Sequence, residues 1–192
     1  MINQEKIHSQ CLSDNPKERI KALEQLEEYF SLLPDTQQAW NDLIKLTDEE
    51  DFIKFRAAEV LCSVFAQVPE KQQAWNDLHR LTDDEKSHVR FLAASALNSA
   101  FSFVPDKQQA WNDLIKLSTH EDFGVRSDAF SAIESAFSQV PDTQQAWSDL
   151  IKLSIHEDFG VKSDAFSAIE SAFSHVLDKQ QVWDDLIKLA CD

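Results

Sequence analysis

The chain has 192 residues, of which 18 are basic and 34 acidic, giving a formal charge of −16. Affinity for nucleic acid comes largely from cations that neutralise phosphates, so this charge excludes DNA, RNA and anionic lipid as expected partners and favours basic proteins or peptides. Only two glycines are present, and the runs between the five prolines are rich in Ala, Leu, Glu, Gln and Lys. This composition predicts an all-α fold.

The cysteines and the amino terminus predict where the protein resides. Cys11, Cys62 and Cys191 have no short spacing, so they predict neither a disulfide framework nor a zinc site and are typical of a reducing compartment. The first residues lack an apolar signal region, and no apolar stretch approaches the length that spans a membrane. We therefore expect a cytoplasmic protein with no membrane partner.

The sequence is organised as a repeat of about 36 residues. The motif Gln-Gln-Ala-Trp recurs with its tryptophans at 40, 75, 111 and 147, and a variant, Gln-Gln-Val-Trp, places the last one at 183. Segments 105–140 and 141–176 match at 31 of 36 positions. We predict a single solenoid with about eleven helices, in which atypical end units cap the array. Its parts are a capping hairpin over 1–33, full repeats over 34–68, 69–104, 105–140 and 141–176, and a capping helix over 177–192.

Each full repeat contains two helical patterns, called helix A and helix B here. Helix A begins at Pro-Asp, where Asp106 is expected to cap the helix and Gln109 to complete a capping box. Helix B carries apolar residues at steps of three and four from Val125 to Val140, and the next proline is expected to end it. A lone hairpin cannot bury both apolar faces, so the repeats are predicted to stack.

The five tryptophans allow two interpretations. Each lies on the same face of helix A as alanine and leucine, which predicts a core position, packed against the phenylalanines of helix B. The alternative is an exposed aromatic ladder on which ligands stack. The core interpretation is favoured because the neighbouring apolar residues share the tryptophan face.

The start of helix B resembles HEAT repeats. Segment 14–23 reads Asp-Asn-Pro-Lys-Glu-Arg-Ile-Lys-Ala-Leu, and segment 88–97 reads His-Val-Arg-Phe-Leu-Ala-Ala-Ser-Ala-Leu. Both are similar to the short HEAT-like repeats named after phycobilisome lyases, in which an acidic turn precedes Val-Arg, paired alanines and a leucine. The resemblance covers essentially the whole chain. It implies an α-solenoid, a superhelix of stacked antiparallel helical hairpins whose B helices line the concave surface.

Tetratricopeptide repeats offer a competing resemblance, since they also use a Trp, a later Ala and a closing Pro. Their unit is shorter and carries a Gly-Tyr signature in helix A, whereas Ile115 and Ser118 stand at those positions here. The HEAT-like interpretation is preferred, and both imply an α-solenoid.

His-Glu pairs at 120–121 and 156–157 raise the question of a metal. Deoxyhypusine hydroxylase is a HEAT-repeat enzyme that binds iron through His-Glu pairs, so a metal-dependent hydroxylase or a lyase is the enzymatic alternative. That family places the pair within helix B after the Arg, whereas here it precedes Val125-Arg126 in the turn. Equivalent atoms in adjacent layers lie ~10 Å apart, too far to share one ion held at ~2 Å. We expect no catalytic residue, metal or cofactor.

Charged residues surround the turn between helix A and helix B. The acids there could form a binding strip for a basic partner, or they could cap helix B and complement its dipole. They are Asp48, Glu49, Glu50, Asp51, Asp83, Asp84, Glu85, Glu121, Asp122, Glu157 and Asp158. A basic residue near the start of each helix B is expected to pair with acids of the neighbouring layer; these are Lys54, Arg90, Arg126 and Lys162.

The outward face of helix B is the candidate partner-binding surface, because packing does not dictate its residues and they differ along the array. Its candidate residues are Arg56, Glu59, Asn98, Ser99, Asp128, Ser131, Glu134, Ser135, Asp164, Ser167, Glu170 and Ser171. We expect a non-catalytic scaffold that binds a protein or peptide through this face or through the acidic turns. The sequence leaves the oligomeric state open.

Overall fold

The computed structural model describes residues 2–49, 51–176, 180, 182–184 and 187. These residues form ten α-helices and four short 3-10 helices and contain no β-strand, so the predicted all-α solenoid is confirmed. The helices form two compact units, residues 1–105 (unit 1) and residues 106–192 (unit 2). In the described part of the chain, no helix combines the length and the apolar character that crossing a membrane requires.

Unit 1 contains three antiparallel hairpins, each made of a helix A followed by a helix B. The hairpins pair α1 with α2, α3 with α4 and α5 with α6, and the B helices pack in succession, α2 against α4 and α4 against α6. The helices are α1 (Gln4–Cys11), α2 (Pro16–Tyr29), α3 (Thr36–Leu46), α4 (Asp51–Val64), α5 (Lys71–Leu81) and α6 (Ser87–Ala100).

Unit 2 contains two further hairpins. α7 pairs with α8 and α9 with α10, and the B helices α8 and α10 pack against each other. The helices are α7 (Lys107–Leu117), α8 (Phe123–Ala136), α9 (Thr143–Ser154) and α10 (Phe159–Ala172). Most of the predicted capping helix over 177–192 lies outside the described residues, and the described positions there are helical.

Side-chain caps explain where the A helices begin. Asp106 Oδ1 accepts the backbone N–H of Gln109 at 2.9 Å, and Asp142 Oδ1 accepts that of Gln145 at 2.9 Å. The predicted Asp cap is therefore confirmed. At the amino-terminal end, Asn3 caps α1 and Asn15 caps α2, with Pro16 as the first helical residue. These caps satisfy N–H groups that have no partner within the helix.

Helix B ends earlier than the sequence predicts. The α-helical part of the third full repeat stops at Ala136, and Phe137–Gln139 continues as a 3-10 helix before Val140 becomes extended. The cause is Pro141, because a residue that precedes proline is pushed out of the α-helical region. The tighter 3-10 turn keeps Phe137 buried while the chain turns towards the next helix A.

The tryptophans form the core, which confirms the core interpretation for four of the five. Trp40, Trp75, Trp111 and Trp147 are fully buried, whereas Trp183 is 55% exposed. The ring of Trp111 meets that of Phe137 edge to face at 5.9 Å between centroids, and Trp40 meets Phe65 in the same way at 6.0 Å. Such pairs add to the stabilisation from buried area.

Each buried indole also needs a partner for its N–H. Trp40 Nε1 donates to Asp77 Oδ2 at 2.9 Å, and Trp111 Nε1 donates to Asp149 Oδ2 at 3.2 Å. In both cases the aspartate belongs to helix A of the next repeat, so the bond connects successive layers. The equivalent Asp42 has no earlier tryptophan, and the imidazole Nδ1 of His8 lies 2.9 Å from both of its carboxylate oxygens.

Candidate functional site

The candidate residues on the outward face of helix B are all accessible to some degree. They lie on α4, α6, α8 and α10, and none is buried. Arg56, Glu59, Asn98, Asp128 and Asp164 are half-buried, and Ser99, Ser131, Glu134, Ser135, Ser167, Glu170 and Ser171 are exposed. Their environments differ between the two units, which decides what each unit offers to a partner.

In unit 1, the charges of this face are paired within the chain. Arg56 Nη2 on α4 lies 2.8 Å from Glu27 Oε2 on α2, and Nη1 lies 2.6 Å from Glu59 Oε2 on its own helix. The hydrogen bond with Glu59 raises the pKa of the guanidinium above its ordinary value. Arg56 and Glu59 are therefore already partnered by each other and by α2.

Cys62 contributes a second contact between neighbouring B helices in unit 1. Its Sγ donates to the backbone oxygen of Leu92 on α6 at 3.2 Å. Burial raises the pKa of the thiol to about 12, so it stays protonated. Glu27 and Cys62 occupy equivalent positions in successive repeats, and so do Arg56 and Leu92. The two contacts therefore show that the first of these positions on one B helix faces the second on the next B helix.

In unit 2, the same positions carry only acids. Asp128 and Asp164 occupy the position of Arg56, and Glu134 and Glu170 occupy that of Cys62. By the contacts seen in unit 1, Glu134 of α8 faces Asp164 of α10. Within the described part of the chain, no basic side chain forms an ion pair with any of these four residues. Unit 2 therefore presents an acidic B-helix face, defined by Asp128, Glu134, Asp164 and Glu170.

Asp128 carries an energetic cost in this arrangement. Its Oδ2 atom is buried and has no hydrogen-bond partner among the described residues. Burial raises the pKa of the carboxyl above its ordinary value. A buried acceptor without a partner destabilises the folded chain unless something else supplies a donor.

We expect Asp128→Asn to stabilise the fold near neutral pH. Because the folded-state pKa is raised, the neutral carboxyl is favoured by folding, and its contribution to stability is lost as the pH rises through that pKa. The free energy of unfolding should rise by up to about 1 kcal/mol near pH 7 and stay unchanged near pH 3, as urea unfolding will measure. The matched control is Asp164→Asn on α10, for which a change of a few tenths of a kcal/mol is expected. Equal effects at both pH values would contradict this account.

Four of the five serines of this face direct their hydroxyl protons to their own helices. Ser131 Oγ donates to the carbonyl oxygen of Ser127 at 3.0 Å, and Ser135 Oγ donates to that of Ala132 at 3.0 Å. Ser167 and Ser99 make the corresponding longer contacts, at 3.4 and 3.5 Å. The hydroxyl oxygens keep accepting capacity, so serines and carboxylates together offer acceptors to a partner that donates hydrogen bonds.

The turn acids serve as local caps. Asp122 Oδ1 accepts the N–H groups of Gly124 and Val125, at 2.8 and 3.4 Å, and Asp158 Oδ1 accepts that of Val161 at 3.0 Å. The bond from Val161 lowers the pKa of Asp158, and the nearby charge of Arg126 lowers it further. The capping interpretation is confirmed for these residues; Glu50 lies outside the described residues.

The imidazoles of the His-Glu pairs are also used within the turns. His120 Nδ1 accepts the N–H of Asp122 at 2.9 Å, and His156 Nδ1 accepts that of Asp158 at 3.1 Å. Asp84 Oδ1 makes the same contact in unit 1, with the N–H of Lys86 at 2.9 Å. Among the described residues, no cluster of three or more His, Cys, Asp or Glu is placed to hold a metal ion.

The basic residue near the start of helix B behaves only partly as expected. Lys54 Nζ lies 3.0 Å from Asp84 Oδ2 in the next layer, as predicted. Arg90 and Arg126 also donate to backbone oxygens of their own turns, those of Asp84 and His120, each at 2.8 Å. The longer, forked guanidinium reaches back over the turn and satisfies its carbonyl groups, which accounts for the difference.

Comparison with known proteins identifies the fold. No protein-family model and no curated protein matches the sequence. A structure from work on TOG–tubulin binding specificity aligns with a TM-score of 0.66 and 16% identity, over 96% of this chain and 80% of that chain. A TOG domain of C. elegans Zyg9 gives 0.63 and 14%, over 94% and 74%. A designed armadillo repeat protein in complex with peptide (KR)4 gives 0.60 and 22%, over 96% and 87%. The chain thus has a HEAT-like helical repeat fold of the armadillo and TOG type.

Proposed function

We propose that the protein is a non-catalytic interaction scaffold that binds a basic segment of another protein. The binding surface is the acidic B-helix face of unit 2. The observation that carries the proposal is the set of four acids on adjacent helices α8 and α10, which have no ion-pair partner in the described chain. Electrostatic complementarity of this kind steers association and selects partners by charge.

Unit 1 supplies an internal example of the expected contact. There, the guanidinium of Arg56 lies between carboxylates of two neighbouring B helices, at 2.8 and 2.6 Å. Arginine suits such a site because its planar group donates to two carboxylates at once. A Lys or Arg side chain from a partner would take the corresponding place between Glu134 and Asp164. The exposed serines Ser131 and Ser167 on the same helices would offer it further acceptors.

The structural neighbours support this class of function. The designed armadillo repeat protein was solved with the peptide (KR)4, which is basic at every position. Another neighbour comes from work on modular peptide recognition, and a further one from work on TOG–tubulin binding. These similarities concern the fold alone. The proposal of a basic partner rests on the acidic residues of unit 2.

Three finer assignments accompany the proposal. We infer that the repeats belong to the HEAT-like type named after phycobilisome lyases, on the Val-Arg and paired-alanine pattern of helix B. We infer a cytoplasmic location from the odd number and wide spacing of the three cysteines. The array is proposed to be a single solenoid with the predicted repeat boundaries, and the division between the units falls within one residue of the boundary between 104 and 105.

The test is the affinity of the protein for a fluorescent (KR)4 peptide, measured by anisotropy at low salt. Glu134→Gln/Glu170→Gln removes two exposed charges from the face and is expected to weaken binding about tenfold. The matched control, Glu5→Gln/Glu70→Gln, removes two exposed charges from unit 1 away from helix B and should weaken it less than about twofold.

Salt separates a specific face from general attraction to an acidic protein. Raising the ionic strength should reduce binding to the wild type more steeply than binding to the Glu134→Gln/Glu170→Gln variant. If both double variants lose affinity equally, the acidic B-helix face of unit 2 is not the binding surface. If the wild type does not bind the peptide at low salt, the proposed function is wrong.

A further inference from the structure

Large apolar side chains are exposed at the turns of unit 2. Phe123 and Phe159, the first residues of α8 and α10, are 69% and 83% exposed, and Ile155 at the end of α9 is 64% exposed. We call these three residues the apolar turn strip. In unit 1, Ser87 stands at the position of the two phenylalanines and Asp83 at that of Ile155. The α5–α6 turn of unit 1 therefore lacks this apolar character, whereas the α3–α4 turn shares part of it through Phe52, which is 59% exposed.

The strip contributes little to the fold. Within the described part of the chain, the ring of Phe159 makes no contact with another ring or with a cation, and that of Phe123 contacts only the guanidinium of Arg126, at 5.7 Å. Neither residue lies on the buried stripe of its helix, whose first member is Val125 in α8 and Val161 in α10. Large apolar side chains left in water on two adjacent hairpins are typical of an interaction surface.

The surroundings of the strip are acidic. A cleft of about 510 Å³ between the two turns is lined by three carboxylates, one guanidinium and two imidazoles, those of Glu121, Glu157, Asp158, Arg126, His120 and His156. The guanidinium of Arg126 is already bound to two backbone oxygens of its own turn, at 2.8 and 2.9 Å. A partner that covers the rings therefore meets carboxylates beside them.

We propose that the apolar turn strip binds an extended segment of another protein in which every third residue is large and apolar and the residues between are Lys or Arg. This inference rests on the proposed function, since it assigns a second contact to the same basic partner. A second copy of the chain fits poorly, because each copy carries a formal charge of −16 and the two would repel. Adjacent helix layers lie ~10 Å apart, and one turn of an extended polyproline II chain, three residues, spans about the same distance and returns its side chains to the same face.

Two peptides of equal length and charge isolate the apolar contribution. One repeats the triplet Lys-Trp-Arg and the other repeats Lys-Ser-Arg, so the first places an aromatic ring at each layer spacing. We expect the wild type to bind the Trp peptide about tenfold more tightly than the Ser peptide, by anisotropy at about 0.15 M salt. Phe123→Ser/Phe159→Ser should remove this preference and leave the affinity for the Ser peptide unchanged.

The matched control is Phe91→Ser/Phe103→Ser, which removes two phenylalanines of unit 1 that are 51% and 50% exposed and lie outside the turns between helix A and helix B. It should retain the preference for the Trp peptide. Equal affinity of the wild type for both peptides, or an unchanged preference in Phe123→Ser/Phe159→Ser, would overturn the inference. Self-association that sedimentation detects in the wild type and not in that variant would overturn it in favour of a second copy. Should the inference fail in one of these ways, weaker binding of the Ser peptide to Glu134→Gln/Glu170→Gln would show that the proposed function still stands.

Discussion

Trp111→Ala is expected to lower the free energy of unfolding by about 3–5 kcal/mol, as measured by urea unfolding followed by circular dichroism. The indole is fully buried, and its removal leaves a cavity beside Phe137. It also removes the hydrogen bond from Nε1 to Asp149, which connects two successive A helices. Trp111→Phe keeps most of the volume and should cost about 1–2 kcal/mol, the share that belongs to the hydrogen bond and the smaller ring.

Trp183→Ala provides the comparison at the same repeat position. Its side chain is 55% exposed, and the ring meets Phe173 edge to face at 6.2 Å between centroids. We expect a loss of no more than about 1 kcal/mol, because most of the indole surface is already in water. A similar loss for both alanine variants would show that burial does not distinguish the core tryptophans from the last one, against the solenoid described here.

The fold was predictable from sequence because the features that specify it are local and repeated. The spacing of the tryptophans gives the length of a layer, and Pro-Asp at the start of helix A gives its cap through Asp106. The apolar stripe that begins at Val125 gives the buried face of helix B. Only the end of helix B differs between the prediction and the structure. The apolar pattern continues to Val140, but its last turn is a 3-10 helix that keeps Phe137 buried.

The contacts between layers were harder to predict, because they depend on the offset between neighbouring helices. The bond from Trp40 to Asp77 joins residues 37 positions apart, one repeat plus two residues, and no pattern within a helix indicates that offset. Arg90 and Arg126 similarly bind their own turns because of side-chain reach. These details require the packed structure.

The sequence predicted the positions of the candidate surface. It did not predict that the charges at these positions are paired in unit 1 and lack ion-pair partners in the described part of unit 2. Sequence places Arg56 and Asp164 at the same position of helix B, but only the structure shows that Arg56 is held by Glu27 of the preceding helix. The buried oxygen of Asp128 likewise depends on how its neighbours pack. A signal for the apolar turn strip was present, since Phe123 and Phe159 interrupt polar turns outside the apolar stripe.

Asp164→Arg should abolish binding of basic peptides while preserving the fold. The new guanidinium would stand at the position of Arg56 and face Glu134 of the preceding B helix, as Arg56 faces Glu27 in unit 1. It would satisfy that carboxylate within the chain and repel an incoming cation. We expect the affinity for (KR)4 to fall on the order of a hundredfold, by anisotropy, because like charges placed together at an interface cost several kcal/mol. The free energy of unfolding should change by less than about 1 kcal/mol.

Arg56→Asp is the reciprocal change and separates the proposed face from the net charge of the protein. It removes the ion pair with Glu27 and gives unit 1 the acidic pattern of unit 2, with Glu27, Asp at 56 and Glu59 unpaired. Affinity for (KR)4 should then rise about threefold to tenfold, with a second site visible in the stoichiometry. A conventional surface control, Arg80→Asp on α5, makes the same change in charge at an exposed position away from helix B. Both substitutions change the net charge of the protein by the same amount. An equal gain in affinity from Arg80→Asp would therefore mean that the total charge governs binding. In that case, the placement of acids between adjacent B helices would not matter.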